Sequence, residues 1–396
     1  WQHFFKYEII ISSYIFKNIK KPYFSLVMDS NECPSLPLEL CEEILCRVPT
    51  KSLMRFKLAC KRWLALFNDK RFVNKHLALV EEHFIRINSD RKVTIISPMT
   101  RACSSFPLPY EFQATPDIYT MIHCDGLLLC ILESSAMAVW NPCLNQVRWI
   151  KPESSYSINC FYGGIGYDGL SQDGGYKILR FGDRDIFRNQ YTNTVVVDIY
   201  ELKSNYWKKY KVSLDWHVVK TCRGVSLMGN MYWIAKWNQA GFFIQSFNFS
   251  TETFEPLASL PFDYGAYDVH NLSAFRGNNL SLLVQNKETE KIEVWVTNMG
   301  KKGVIISWTK FFSVTRPDRP VFRACEGIAT KVHFIDKKNR VVVCCEEVTV
   351  DERCVSVNIY LFGEGEIEKQ EIELHKRGFS WPFVSGYAYL PSLVPV

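Results

Sequence analysis

The sequence holds 396 residues, enough for one large domain with a small one or for two of medium size, and its 47% hydrophobic and 22% charged content excludes a globally disordered chain. The formal charge of +6 invites a nucleic-acid reading, but four of the 47 basic residues (Lys6, Lys17, Lys20, Lys21) and only one of the 41 acidic ones (Glu8) fall in the first 27 positions. The remainder carries +3, which is no broad polyanion-binding signal, so no nucleic-acid partner is expected.

In chain order, residues 1–27 come first and stand apart. Their apolar run, Ile9 to Phe16, is shorter than the roughly 20 residues a bilayer span needs, and no small-residue cleavage pattern follows it. No membrane partner is expected. Met28 is followed by the polar "DSNEC", so residues 1–27 are read as upstream sequence and Met28 as the natural start. A cryptic targeting segment is the alternative.

Residues 34–77 follow a helical period. Pro37 suits a first helical turn, and Glu39, Glu42 and Glu43 place negative charge near its positive end. Leu36, Leu40, Ile44 and Val48 recur at helical spacing with Leu45 alongside, until Pro49 stops the helix. Thr50 is the expected N-cap of a second helix, striped by Leu53, Phe56, Cys60, Trp63 and Phe67. Asp69 is expected to cap a third, holding Phe72, Val73 and Leu77. Three helices in so short a stretch lie near the lower size limit for folding alone, about 40 residues. Their apolar surface exceeds what such a core encloses. Two readings stay open: the surplus packs on the following domain, or a partner covers it.

The stretch "LPLELCEEILCRVPTKSLMRFKLACKRWLALFNDKRFVNKHL" resembles an F-box, matching the leading Leu-Pro, the Glu-Ile-Leu before an "RVPTKSL" turn, and a basic second half ending in "CKRW". The resemblance implies docking onto the Skp-type adaptor of an SCF (Skp–cullin–F-box) ubiquitin ligase, and through it a link to cullin and RING subunits. Leu36, Pro37, Leu40, Ile44, Leu45, Val48, Pro49, Leu53, Phe56, Cys60 and Trp63 fall where that family's interface and core residues lie. Arg47, Lys51, Arg55, Lys57, Lys61 and Arg62 would complement an acidic adaptor, mainly by speeding encounter. Ala59 stands where a bulkier aliphatic is frequent.

From residue 84 to 393 the helical period gives way to short apolar runs broken by Gly, Asn, Asp and Ser turns, and the 14% aromatic share of the chain favours strands. One segment type recurs: an apolar strand with an aromatic anchor at Trp140, Tyr200, Phe247, Trp295 and Tyr360, and a vaguer first copy at Ile96. Apolar strand pairs such as "DGLLLCIL" and "GVSLMGNMYWIA" precede several copies, making about four strands per unit. Repeats of roughly 40 to 50 residues with four strands each indicate a β-propeller. The expected fold is therefore mainly β with a small N-terminal α unit: three helices, then a propeller of about six blades. The final strand near "VSGYAYLPSL" is expected to close the ring on the first blade. A two-sheet sandwich is the runner-up.

"CDGLLLC", "VWNPCLNQVRWI", "GIGYD", "YKILRF", "VDIYELKSNYW" and "YLPSLVPV" are similar to the recurring phrases of the plant F-box-associated interaction domain, related to kelch-type propellers. Together with a leading F-box this implies a substrate receptor, one end gripping the ligase and the other an unknown target protein. The expected target face is a rim of long loops carrying Tyr191, Trp237, Tyr264, Tyr267 and His270. The competing reading packs these aromatics within their own blades. A stand-alone protein-binding propeller capped by the helical unit is the alternative function.

No catalytic, metal or cofactor signature stands beside these features. Gly164, Gly166 and Gly169 satisfy G-x-G-x-x-G, but a turn and a strand follow where a dinucleotide site needs a helix. The histidines stand alone, without metal-ligand spacing. The chain is expected not to be an enzyme and to need no cofactor. Its fourteen cysteines contain no C-x-x-C pair and are read as small buried hydrophobes in a reducing compartment, the cytoplasm or nucleus or both.

Overall fold

From His83 onward, the described residues form short strands joined by turns, with one single-turn helix among them. The structure is a computed structural model, and it describes residues 38–57, 61–87, 91–151, 161–169, 175–182, 194–219, 223–237, 241–262, 267–286, 288–300, 305–315, 331–348, 354–363, 367–376 and 387–396. Two compact units divide the chain, Trp1–Glu43 and Ile44–Val396.

Six antiparallel sheets make six blades. Blade 1 holds β1 (His83–Ile87), β2 (Lys92–Ile96) and β3 (Cys103–Pro107); blade 2 holds β4 (Ile118–Cys124), β5 (Leu127–Leu132), β6 (Met137–Asn141) and β7 (Gln146–Ile150). Blade 3 is β8 (Phe161–Tyr167), β9 (Tyr176–Gly182), β10 (Thr194–Glu201) and β11 (Tyr206–Ser213). Blade 4 is β12 (Trp216–Val218), β13 (Val225–Leu227), β14 (Asn230–Trp237), β15 (Phe242–Asn248) and β16 (Thr253–Ser259). Blade 5 runs β17 (Tyr267–Phe275), β18 (Asn279–Asn286), β19 (Ile292–Met299) and β20 (Ile305–Val314). Blade 6 runs β21 (Lys331–Ile335), β22 (Val341–Val348), β23 (Cys354–Phe362) and β24 (Ile367–Lys376).

The last strand, β25 (Tyr387–Tyr389), pairs antiparallel with β1, Phe84 opposite Ala388, and supplies the fourth strand of blade 1. The ring closes there, as expected. The first strands pack side by side around it, β4 touching both β25 and β8, and β21 touching β17 and β25.

The six-fold repeat has one physical origin. Trp140, Tyr200, Phe247, Trp295, Tyr360 and Ile96 all lie on the third strand of their blades, counting β25 as the first of blade 1. Trp140, Phe247 and Ile96 are wholly buried there. Three of the hairpins turn on a residue and a glycine with positive φ: Asp125–Gly126, Met228–Gly229 and Arg276–Gly277. Such a pair matches the right-handed twist of the strands it joins.

Gly164 and Gly166 belong to strand β8. A Cβ on Gly166 would lie 2.2 Å from the Gly229 carbonyl oxygen, so the missing side chain serves close approach of blades 3 and 4. Cys46, Cys124, Cys130, Cys344 and Cys345 are buried in apolar surroundings, consistent with packing residues. On the exposed edge of blade 3, Lys208, Lys209 and Lys211 face solvent on β11, where charge discourages edge pairing.

The helical stretch departs from expectation in detail. It contains α1 (Leu38–Leu45), α2 (Thr50–Phe56), α3 (Lys61–Asn68) and α4 (Lys70–Leu77), with residues 58–60 outside the described residues. Val48 lies beyond the end of α1, in a turn closed by Val48 N–H to Leu45 O. Thr50 is not an N-cap: Pro49 holds that position, and the Thr50 hydroxyl donates to the Pro391 carbonyl at 3.1 Å. Asp69 does cap α4, accepting from Arg71 N–H. A further single-turn helix, α5 (Tyr110–Gln113), joins blades 1 and 2.

Candidate functional site

Four short helices present two kinds of apolar position. Inward, Leu45, Cys46, Leu53, Phe67, Phe72 and Val73 join one apolar cluster with blade residues such as Ile122, Leu129 and Ile165. Outward, Leu64 on α3 is 38% exposed, while Phe56 and Trp63, with ring centroids 5.5 Å apart, pack against that cluster and stay half-buried. Leu40 on α1 is 51% exposed. Ile44 and Val48 are half-buried and Pro49 is exposed.

Of the residues expected at a partner interface, then, Leu45 and Leu53 belong to the internal core. Leu40, Ile44, Val48, Pro49, Phe56 and Trp63 keep surface open to solvent. Leu36, Pro37 and Cys60 lie outside the described residues. Leu64, which the stripe reading passed over beside Trp63, is a further exposed apolar side chain. Arg47, Lys51, Arg55, Lys61 and Arg62 are exposed, and Lys57 is half-buried.

The inward side is held by polar contacts as well. His76 on α4 is 1% exposed, its Nε2 lies 3.0 Å from the Val48 carbonyl, and its ring stacks on Phe72. Burial pushes the imidazole below its usual pKa, so the neutral Nε2–H form donates to that carbonyl and ties the turn after α1 to α4. Lys70 sits over the Tyr167 ring at 5.9 Å, and Lys337 of blade 6 donates to the Leu79 carbonyl at 2.6 Å.

Of the expected loop rim only Trp237 and His270 have described side chains, and both pack within their own blades, as the competing reading had it. Trp237 ends strand β14 and stacks on Phe243 of the neighbouring strand at 4.2 Å, which is packing inside its own blade. His270 lies within strand β17 at 2% exposure, against Phe262, and not on a loop. The cause is register: β17 begins at Tyr267, several residues before the expected end of the loop. Tyr191 and Tyr264 lie outside the described residues, as does the side chain of Tyr267.

Two further histidines on first strands are structural. His333 is wholly buried, its Nδ1 2.6 Å from Asn271 Oδ1 and its Nε2 3.0 Å from Ser281 Oγ, which fastens blade 6 to blade 5. His123 Nε2 accepts from Gly126 N–H at 2.8 Å and Leu390 N–H at 3.3 Å. Burial pushes His333 down to about 3 and His123 down to about 4, so both are neutral. Among the described residues, no group of three or more His, Cys, Asp or Glu could hold a metal ion, and no helix is long and apolar enough to cross a membrane.

Fold and site together define a six-bladed β-propeller protein led by a helical unit with a solvent-facing apolar surface. Residues 33–75 match the F-box domain, and residues 76–396 match the F-box associated beta propeller domain. The chain belongs to the F-box proteins that carry this propeller. It is 64% identical, over all of this chain and 97% of the relative, to the F-box/WD-40 repeat-containing protein 1 of Arabidopsis thaliana. A putative F-box protein of the same plant is 45% identical over 93% of this chain and its own full length. Among solved structures, the WD40 domain of SCAP from fission yeast aligns with 76% of this chain and 86% of its own at a TM-score of 0.37 and 7% identity, a likeness that carries no argument.

Proposed function

We propose that this chain is a non-enzymatic substrate-recognition adaptor of an SCF ubiquitin ligase. Its helical unit docks to a Skp-type subunit and through it to cullin and RING subunits, while the propeller recruits a target protein for ubiquitination. The observation that carries this reading is apolar exposure within the F-box helices α2 and α3: Leu64 is exposed, and Phe56 and Trp63 keep part of their surface open to solvent, while Lys51, Arg55, Lys61 and Arg62 on the same two helices are exposed. Exposed apolar and basic side chains on the same short helices suit a hydrophobic interface approached under electrostatic steering. The chain's contribution to the reaction is proximity, since transfer chemistry belongs to the partners. A protein working this way acts in the cytoplasm or nucleus.

A second reading has its own support. Leu45, Leu53, Phe67, Phe72 and Val73 are buried in a cluster shared with the blades, as a stand-alone propeller capped by its helices requires. One experiment separates the two. Purified residues 28–396 are titrated with a Skp-type adaptor beside a Leu40→Asp/Leu64→Asp variant. Tight binding by the first and at least a hundredfold loss in the second, with unchanged β-sheet circular dichroism, supports the ligase adaptor. Absence of binding by the unaltered chain leaves the capped propeller.

A further inference from the structure

Ring closure ends at Tyr389, where β25 stops. The residues beyond are nevertheless firmly engaged: Ser392, Leu393 and Val394 are all buried. Blade 2 grips them along one side. His123 accepts from Leu390 N–H, Asn141 Nδ2 donates to the Ser392 and Val394 carbonyls at 3.3 and 2.7 Å, and Gln146 Oε1 accepts from Val396 N–H at 3.3 Å. Gly126, at φ +84°, clears the path, since a Cβ there would lie 2.2 Å from Ser392 Oγ. From the other side the Thr50 hydroxyl of α2 donates to the Pro391 carbonyl. Leu393 and Val394 lie in the same apolar cluster as Leu53, Phe67 and Phe72.

We propose that residues 390–396 are a strap that fastens helices α2–α4 to blade 2, and that this attachment, not ring closure, sets how firmly those helices are held. The segment has no ladder partner. Side chains from two different elements satisfy its buried carbonyls, one set from blade 2 and one from α2. Two further polar ties between helices and blades, from Lys70 and Lys337, come from exposed lysines and contribute little. Under the adaptor reading, on which this sentence alone rests, the strap fixes the direction in which a bound target faces the ligase.

The test is Asn141→Asp in the full chain, followed by amide hydrogen exchange. The carboxylate keeps the Oδ1 acceptor that receives Cys143 and Leu144 N–H at 2.9 and 3.2 Å, so the β6–β7 turn survives. It loses the donor that holds the strap. Exchange in α2–α4 is expected to speed up on the order of tenfold while β18 and β19 keep their protection. A chain ending after Leu390, in which β25 remains but the strap is absent, should show the same pattern more strongly. Helices as protected in that truncated chain as in the intact one overturn the proposal. So does equal loss across helices and blade 5, which would mean general destabilisation. Because exchange is read without adaptor, a failed strap and a failed adaptor reading remain distinguishable.

Discussion

Asp198→Asn in blade 3 should be among the most destabilising single substitutions in the propeller. Arg180 and Asp198 are each 2% exposed, and the guanidinium places Nε and Nη2 at 3.0 and 2.6 Å from one carboxylate oxygen. The same guanidinium lies 4.9 Å from the Trp207 ring and 5.8 Å from the Phe161 ring. Removing the carboxylate charge leaves a buried cation among aromatics, which costs about 3–5 kcal/mol. Replacing both partners, Arg180→Met with Asp198→Leu, removes the charge and its desolvation together and should cost about 1 kcal/mol or less. Urea unfolding followed by tryptophan emission measures both, with Trp207 close enough to report the loss locally. An Asp198→Asn cost below about 1 kcal/mol, or a double variant as unstable as the single, would refute the argument that the pair is held by mutual compensation.

Leu53→Ala, at a position with no exposure, should cost about 2–5 kcal/mol in urea unfolding, whereas Leu64→Ala should stay within about 0.5 kcal/mol of the parent; equal costs would deny the helices their two sides. Gly166→Ala drives a Cβ to 2.2 Å from the Gly229 carbonyl and 2.4 Å from the Phe249 ring, so blades 3 and 4 must part and about 1–3 kcal/mol is lost, read as a lower melting temperature. The neutral buried histidines set a pH dependence. His123 and His333 have folded pKa values of about 4 and about 3, below the unfolded value of about 6.5, so the unfolded chain binds more protons between those limits. Stability is therefore fully present above about pH 6.5 and falls as pH drops toward the folded values, by up to about 1.4 kcal/mol per unit for each histidine. A urea series from pH 7.5 to 4.5 should show this slope, reduced in His333→Asn; an identical slope in the variant removes His333 as its source.

The propeller was legible because its signals are local and repeated. An aromatic anchor on the third strand of five blades and a glycine hairpin ahead of several copies are visible within a dozen residues, and Trp140, Tyr200 and Phe247 occupy the expected place. Closure by the last strand followed from the same repeat, since β1 to β3 lack a fourth member. The inward and outward sides of the helices were not legible. Leu40 and Leu53 look alike as periodic leucines, yet one is 51% exposed and the other has no exposure. That difference is set by residues hundreds of positions away, among them Leu393 and Val394 in the cluster that takes Leu53. Thr50 misled for the same reason: its local spacing suits a cap, but its hydroxyl meets a carbonyl 341 residues later. Trp237 was ambiguous for a different reason. Aromatics beside polar residues fit a loop or a strand end equally well, and cross-strand stacking of Trp237 on Phe243 decided for the strand.

Helices of eight, seven, eight and eight residues are each too short to persist alone in water. Tertiary burial must hold them, and α2–α4 obtain it from Leu53, Phe67, Phe72 and Val73, each fully buried large apolar side chain contributing about 1.5–3 kcal/mol. Exposed Leu64 carries little of that load, while Phe56 and Trp63 pack on the inward cluster in part and keep the rest of their surface open to solvent. That surface is left available for a partner. The apolar surplus of the sequence thus divides into a structural part, which residues 390–396 help enclose, and a part that stays open to solvent, Leu64 foremost. Of the two explanations that the sequence leaves open, packing on the blades accounts for Leu53, Phe67, Phe72 and Val73, and covering by a partner is what the adaptor proposal assigns to Leu64.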